Sequence, residues 1–378
     1  HSFPTRRSSD LLVVTAPSSL HTAGTVNTSN TAMTLGDSST ALTLTDHLTL
    51  NTAGGALSVA GAVDGSLANT QSLTLNATGA GAVHVTGALG QTVSLKTLTL
   101  SHSNGATFSS PVRADTSVVL SNTTAGQSIR FEDTLNTGTL STTSNGYHLA
   151  LVGSNTHVTA ATTFLNTGTL TLGDAATDNL AFDGGLVVTA PSSLSIGGTV
   201  ATTHAVMTLG DSNTALVLHD DVTLNTAGGA LNINGALNGT LANTQSLTLN
   251  AGSTGAVSVT GALGQTTSLN TLTLSQSDGA TFSAPVTADT AVVLSDTTAG
   301  QTIRFAHNLS TTALTTANKG YHLALVGANT HVTGATTFLN TGTLTLGDAA
   351  TDSLAFDGGL VVTAPSSLNV GGTVTTTH

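Results

Sequence analysis

The chain has 378 residues, of which 39% are apolar and only 7% are charged, and it contains no cysteine and no tryptophan. This apolar content is too high for a disordered tract, and the lack of cysteine excludes disulfides, thiolate metal sites and cysteine nucleophiles. A net charge of −12 with only seven lysines and arginines argues against a surface for nucleic acid or anionic membranes. No apolar run approaches the roughly 18 residues that a membrane-spanning helix needs.

One 174-residue unit runs through the chain twice and starts a third time. The stretch Leu12 to Leu20 returns as Leu186 to Leu194 and again as Leu360 to Leu368. The two full copies are identical at 129 of 174 positions, which indicates a recent duplication, so the recurrence of a residue is weak evidence of function. The sequence predicts copy 1 at residues 12–185, copy 2 at 186–359 and the start of a truncated copy 3 at 360–378.

The first eleven residues do not fit this repeat. Residues 2–11 match none of their equivalents at 176–185, whereas the match is perfect for nine residues from Leu12 onward. The segment 1–11 resembles the in-frame translation of a sequencing adaptor, and we interpret it as non-native. The alternative is a basic N-terminal arm or the tail of a targeting signal. It is not a signal peptide, because it lacks an apolar central region.

Short strands are predicted along the rest of the chain. Apolar and polar residues alternate with period two in many short segments, and Gly, Asn, Asp and Ser separate these segments. No window sustains a helical period, so we expect almost no helix. The clearest alternating segments are Ser72 to Asn76, Val83 to Val85, Leu98 to Leu100, Ile129 to Phe131, Leu149 to Leu151, Thr169 to Leu172 and Leu180 to Phe182.

A shorter repeat lies inside the long one. Gly55 to Val63 resembles Gly81 to Leu89, which begins 26 residues later in the chain. Spacing of this kind predicts an all-β fold, a parallel β-helix (β-solenoid) of short strands with coils of about 22–26 residues and seven or eight coils per copy. The alternative is a string of Greek-key sandwiches, two per copy, which strands at regular spacing also fit.

The Thr/Ser/Asn/Gly-rich coils resemble a known class of proteins. Segments such as Ala68 to Asn76 and Thr86 to Thr92 are similar to the β-helical passenger repeats of filamentous-haemagglutinin-like and autotransporter-type bacterial surface adhesins. The resemblance extends over residues 12–378 and is one of composition and style, without a diagnostic motif. It implies a secreted or cell-surface stalk on the bacterial outer membrane. Any host or neighbouring-cell glycan or protein would then be bound by regions outside this segment.

Aspartates form the densest candidate metal site, but we assign no metal or cofactor. Aspartate oxygens at a turn are ligands that Ca²⁺ accepts. Their spacing matches neither the calcium-binding nonapeptide nor an EF-hand loop, and Gly-Asp is also ordinary turn chemistry. The weak calcium candidates are Asp174, Asp178, Asp183, Asp348, Asp352 and Asp357.

Histidines provide a weaker metal candidate. His148 and His157 lie close together in the sequence and recur at His322 and His331. Histidine-rich surfaces can bind Zn²⁺, but no third ligand is evident here. We therefore favour outward-facing strand residues.

We predict no catalytic activity. A β-helical enzyme that acts on acidic polysaccharides would need a paired acid and base, and Arg130, Glu132 and Asp133 are the nearest candidates. Arg304 keeps the arginine in copy 2, but Ala306 replaces the glutamate and His307 replaces the aspartate.

Ice binding by a threonine face is a further alternative. Thr-x-Thr pairs occur at Thr43/Thr45, Thr97/Thr99 and Thr169/Thr171, at uneven intervals that chance explains in this composition. The sequence therefore favours a non-catalytic structural segment of a large secreted or cell-surface adhesin. It predicts no bound nucleic acid and no membrane insertion by this segment.

Overall fold

The computed structural model describes residues 11–377, which form strands and turns with no helix. The proposed adaptor-derived segment lies outside the described residues except for Leu11. The chain divides into two compact units at Gly173 and Asp174. Each unit is a parallel β-solenoid, and together they contain about 16 turns. The predicted fold class is therefore confirmed.

The strands of the first unit are β1 (Leu12–Val14), β2 (Ser19–Asn27), β3 (Met33–Leu35), β4 (Ala41–Asn51), β5 (Leu57–Val59), β6 (Ala62–Gly65), β7 (Ser72–Asn76), β8 (Val83–Val85), β9 (Leu95–His102), β10 (Ala106–Phe108), β11 (Val112–Leu120), β12 (Ser128–Phe131), β13 (Leu135–Thr142), β14 (His148–Leu151), β15 (Asn155–Val158), β16 (Thr162–Phe164) and β17 (Thr169–Leu172).

The strands of the second unit are β18 (Asn179–Phe182), β19 (Leu186–Val188), β20 (Ser193–Ala201), β21 (Met207–Leu209), β22 (Ala215–Asn225), β23 (Leu231–Ile233), β24 (Leu237–Gly239), β25 (Leu247–Asn250), β26 (Val257–Val259), β27 (Leu269–Gln276), β28 (Ala280–Phe282), β29 (Val286–Leu294), β30 (Thr302–Phe305), β31 (Leu309–Thr316), β32 (His322–Leu325), β33 (Asn329–Val332), β34 (Thr336–Phe338), β35 (Thr343–Leu346), β36 (Ser353–Phe356), β37 (Leu360–Val362), β38 (Ser367–Val370) and β39 (Thr373–Thr375).

Each coil of the first unit contributes strand to three faces. The first face consists of β1, β3, β5, β8, β10, β12, β14 and β17, and the second face contains the first halves of β2 and β4 followed by β6. The third face contains the second halves of β2 and β4, then β7, β9 and the second halves of β11 and β13. Long strands such as β4 therefore turn a corner between two faces.

Coil length varies along the first unit. One of the longest coils separates Leu57 from its partner Val83, whereas a much shorter coil separates Leu98 from its partner Val118. The prediction of coils of about 22–26 residues is therefore correct at its upper limit, but the shortest coils are tighter. The difference lies in the turns and in bulges of the long strands, such as the register shift between Ala114 and Ser117 of β11.

The second unit repeats this arrangement. Its first face runs through β19, β21, β23, β26, β28, β30, β32, β35 and β38, all parallel and in register. The two halves of β20 lie on its second and third faces and pair with the two halves of β22.

The core is a continuous column of apolar side chains inside each unit. In the strands between the terminal coils, alternate residues point inward, and Leu, Val, Ile and Phe occupy most of these positions with almost no exposed surface. Phe108 stacks on Phe131 with ring centroids 4.5 Å apart, and Phe282 stacks on Phe305 at 4.6 Å. Because each coil covers the apolar face of the next, a single coil would leave its interior exposed to water.

Close stacking also restricts the turns between faces. A Cβ atom added to Gly87 would lie 2.0 Å from the carbonyl oxygen of Gly61 on the preceding coil. Only glycine fits there. The Gly-rich turns that separate the predicted strands therefore permit the coils to approach each other.

Candidate functional surfaces

The most buried acidic side chains cap turns. Asp178 is 5% exposed, and its Oδ2 accepts hydrogen bonds from the backbone N–H groups of Asp174 at 2.9 Å and Ala175 at 3.1 Å. Asp352 makes the same contacts with Asp348 and Ala349 at 2.9 and 3.0 Å. The geometry accounts for these two buried carboxylates through turn capping.

The other aspartates of the candidate set have separate partners. Asp183 accepts a hydrogen bond from the Thr203 hydroxyl at 3.0 Å. Asp348 lies 3.5 Å from the Arg304 guanidinium, and Asp357 lies 2.8 Å from Nε2 of His331. Within residues 11–377, no group of three or more acidic or histidine side chains is positioned to hold a metal ion. The structure therefore does not bring the six candidate aspartates together around one point within these residues.

Two further aspartates show the same turn chemistry on the surface. The hydroxyl and backbone N–H of Ser39 hold the pKa of the Asp37 carboxyl below its ordinary value. The backbone N–H of Asn213 and the Thr214 hydroxyl do the same for the pKa of Asp211. These carboxylates stabilise turns between strands in their ionised form.

The candidate histidines link neighbouring coils. The backbone N–H of Thr169 donates to Nδ1 of His148 at 2.9 Å, and the N–H of Thr343 donates to Nδ1 of His322 at 2.8 Å. This ring nitrogen is therefore occupied in both copies. His331 lies on another face of its unit and pairs with Asp357 instead.

The candidate acid and base residues lie on the surface of the first unit. Arg130 Nε contacts Glu132 Oε1 at 3.0 Å, and the Ser109 hydroxyl donates to the other oxygen of Glu132 at 2.8 Å. Asp133 accepts the backbone N–H of Thr134 at 2.6 Å. In the second unit Arg304 pairs with Asp348 instead, since Ala306 has no carboxylate. The structure therefore brings Arg130 and Glu132 together, whereas Asp133 is hydrogen-bonded to the backbone of the next residue.

A ladder of threonines runs along the third face of the first unit. Thr25, Thr49, Thr74 and Thr99 occupy the same outward position on four successive coils. Ser72, Thr97, Ser117 and Thr139 form a second column two positions away. The four threonines of the ladder are 24 or 25 residues apart, and a search for Thr-x-Thr pairs misses them because only Thr99 forms such a pair, with Thr97.

The second unit carries a corresponding ladder. Thr199, Thr223, Thr248 and Thr273 are in register on its third face, beside the column Asn225 and Asn250. In both units the residues of these columns are uncharged. All tyrosines and phenylalanines among the described residues are buried, so neither ladder has an aromatic ring beside it at the surface. The ladders therefore offer hydroxyl, methyl and amide groups at a fixed spacing of about 4.8 Å between coils.

The comparisons with known proteins do not extend these observations. The chain matches no family model, no curated protein and no solved structure. Residues 11–377 contain no helix that could cross a membrane.

Proposed function

We propose that the chain is a structural stalk segment of a large secreted or cell-surface bacterial adhesin, without catalytic activity of its own. The observation that supports this proposal is the uninterrupted apolar core beneath a sparsely charged exterior in each unit. Stacked coils give a structure whose length grows with copy number, because each coil needs only its neighbours for burial. The resemblance of the Thr/Ser/Asn/Gly-rich coils to adhesin passengers points in the same direction.

A stalk must survive outside the cell and carry load. We expect the chain to resist proteinase K under native conditions. The hydrogen-bonded, stacked strands leave few segments that can unfold locally and become accessible to a protease. The double variant Phe131→Ala/Phe305→Ala should be digested faster, and Thr107→Ala/Thr281→Ala, with outward positions on the same face, should behave as the wild type. Rapid digestion of the wild-type chain would contradict the stalk proposal.

The catalytic alternative has its own assay. A β-helical enzyme would release reducing sugars or unsaturated products from acidic polysaccharides. We expect no release by the intact chain. Product formation that disappears in the variant Glu132→Gln would replace the stalk proposal with an enzymatic one.

The threonine ladders favour ice binding as a second candidate function. Their uncharged hydroxyl and methyl groups recur at a spacing close to the oxygen repeat of hexagonal ice. If this function is correct, the wild type inhibits ice recrystallisation, Thr74→Lys/Thr248→Lys abolishes the inhibition and Thr107→Lys/Thr281→Lys retains it. Absence of inhibition by the wild type would remove this candidate.

A further inference from the structure

Copy 2 does not make a whole number of coils. Copy 2 occupies eight strand positions on the first face, from β19 to β35, and its last strand on the second face is β36. The next position, on the third face after β34, is filled by β37, which already belongs to copy 3. The third face therefore holds seven strands of copy 2, one fewer than the first face. With three faces to a coil, the 174-residue unit makes seven and two-thirds coils.

Every strand of copy 3 is consequently displaced by one face. Leu186–Val188 lies on the first face, whereas its equivalent Leu360–Val362 lies on the third. Ser193 to Ile196 lies on the second face, and its equivalent Ser367–Val370 lies on the first. The strand β39 is on the second face, although its copy 2 counterpart, the end of β20, is on the third.

The junction between copies 1 and 2 shows the same strand pairing as the junction between copies 2 and 3. Asn179 pairs with Thr199 where copy 1 meets copy 2, and the equivalent residues Ser353 and Thr373 pair where copy 2 meets copy 3. Measured in the frame of copy 2, β18 lies on the third face, whereas its equivalent β36 lies on the second. Two successive junctions therefore apply the same displacement.

We propose that copies joined in this way turn by one third of a coil at every junction, so that each surface feature of the repeat faces three directions in turn and returns to the same face only at the fourth copy. Three copies then complete 23 coils, a rise of roughly 110 Å. A bend caused by uneven turns on one face would be cancelled by the next two copies. The role of this offset in a stalk rests on the proposed function, whereas the offset itself rests only on the strand pairing.

The offset also bears on the second candidate function. A threonine ladder confined to four coils of one copy would be followed, in the next copy, by a ladder on another face. Successive ladders would not form one plane along an array. The offset therefore argues against one extended flat ice-binding surface along an array.

Engineered disulfides test the offset directly, because the chain contains no cysteine. Val361 pairs with Thr337 and Asn369 pairs with Thr345 on adjacent coils. Paired Cα atoms about 4.8 Å apart lie within the range that a disulfide spans. We expect Thr337→Cys/Val361→Cys and Thr345→Cys/Asn369→Cys to cross-link readily on mild oxidation, as measured by non-reducing gel shift and peptide mass spectrometry.

The matched control is Thr345→Cys/Val361→Cys. These two residues would be neighbours only if copy 3 began on the same face as copy 2, so we expect at most about one tenth of the cross-linking of the other pairs. Preferential cross-linking of this control would overturn the offset, and so would failure of both expected pairs in folded protein. Neither result depends on adhesion, so the inference and the proposed function can fail separately.

Discussion

The interior and the exterior of the repeat have diverged very differently between the two copies. About a third of the positions between residues 12 and 173 are buried, and only three of these carry a different residue in copy 2. All three exchange one aliphatic residue for another: Leu48 for Val222, Val59 for Ile233 and Val63 for Leu237. The other differences lie at half-buried and exposed positions. The core therefore tolerates little change, whereas the surface varies freely, as expected when packing matters more than a particular surface site.

Exposed polar contacts show how such variation is absorbed. The Asp64 carboxylate accepts the backbone N–H groups of Thr92 and Val93, and the side-chain carbonyl of Asn238 accepts the equivalent pair in the second unit. The hydrogen bonds persist although the charge is lost. In contrast, Glu132 and its contact with Arg130 have no counterpart at Ala306.

The largest expected effect comes from the interior phenylalanines. Phe108→Ala and Phe282→Ala should each lower the free energy of unfolding of their own unit by about 3–5 kcal/mol, because they remove buried ring surface and leave a cavity. Urea denaturation followed by circular dichroism measures this loss. The outward controls Thr107→Ala and Thr281→Ala should change little. A difference of more than about 2 kcal/mol between the two phenylalanine variants would break the equivalence of the two interiors.

The turn-capping aspartates should come next. Asp178→Ala and Asp352→Ala each leave two backbone N–H groups without their acceptor, at a cost of about 1–3 kcal/mol. Asp178→Asn keeps an oxygen acceptor and should cost less. Thermal melts with Ca²⁺ and with EDTA should coincide for the wild type. A calcium-dependent rise in Tm that these variants remove would instead establish the metal site.

The buried tyrosines should show a smaller, pH-dependent effect. Burial raises the pKa of the Tyr321 hydroxyl to about 12 and shifts the pKa of Tyr147 upward. The Tyr321 hydroxyl also donates to the carbonyl oxygen of Leu294 at 3.2 Å. Because the neutral phenol is favoured in the folded state, its contribution is complete below about pH 10 and is lost as the pH rises through about 12.

The double variant Tyr147→Phe/Tyr321→Phe tests this dependence. It should lose about 0.5–1.5 kcal/mol per site at neutral pH, the usual contribution of a hydrogen bond. The variant should also lose less stability than the wild type between about pH 10 and pH 12, as measured by urea midpoints. An unchanged alkaline profile would show that other groups control unfolding there.

The smallest effect is expected at the exposed ion pairs. Arg130→Ala and Arg304→Ala should each change stability by less than about 0.5 kcal/mol, since solvent-exposed pairs contribute little. The same urea titrations measure both changes. A loss several times larger at Arg130 alone would indicate that the surface of copy 1 has a role that copy 2 lacks.

Sequence predicted the architecture well because period-two alternation and the inner repeat both reflect backbone geometry. Segments such as Ser72 to Asn76 appear as strands with Leu73 and Leu75 buried. The register of the strands was harder to predict, because the turns differ in length from coil to coil and bulges shift the pairing within long strands such as β11. The one-third offset of copy 3 follows from register and is not visible in linear spacing, whereas the Thr25–Thr99 ladder recurs at near-equal intervals that a search for Thr-x-Thr pairs misses.

We propose that the repeat contributes a scaffold and that its own surface binds no partner tightly. The sharpest test is a glycan and protein array probed with the intact chain. We predict no saturable binding at sub-micromolar concentration, for the wild type and for the surface variants Arg130→Ala and Thr74→Lys alike. Specific sub-micromolar binding by the wild type that either surface variant abolishes would contradict the claim and locate a binding site on the repeat itself.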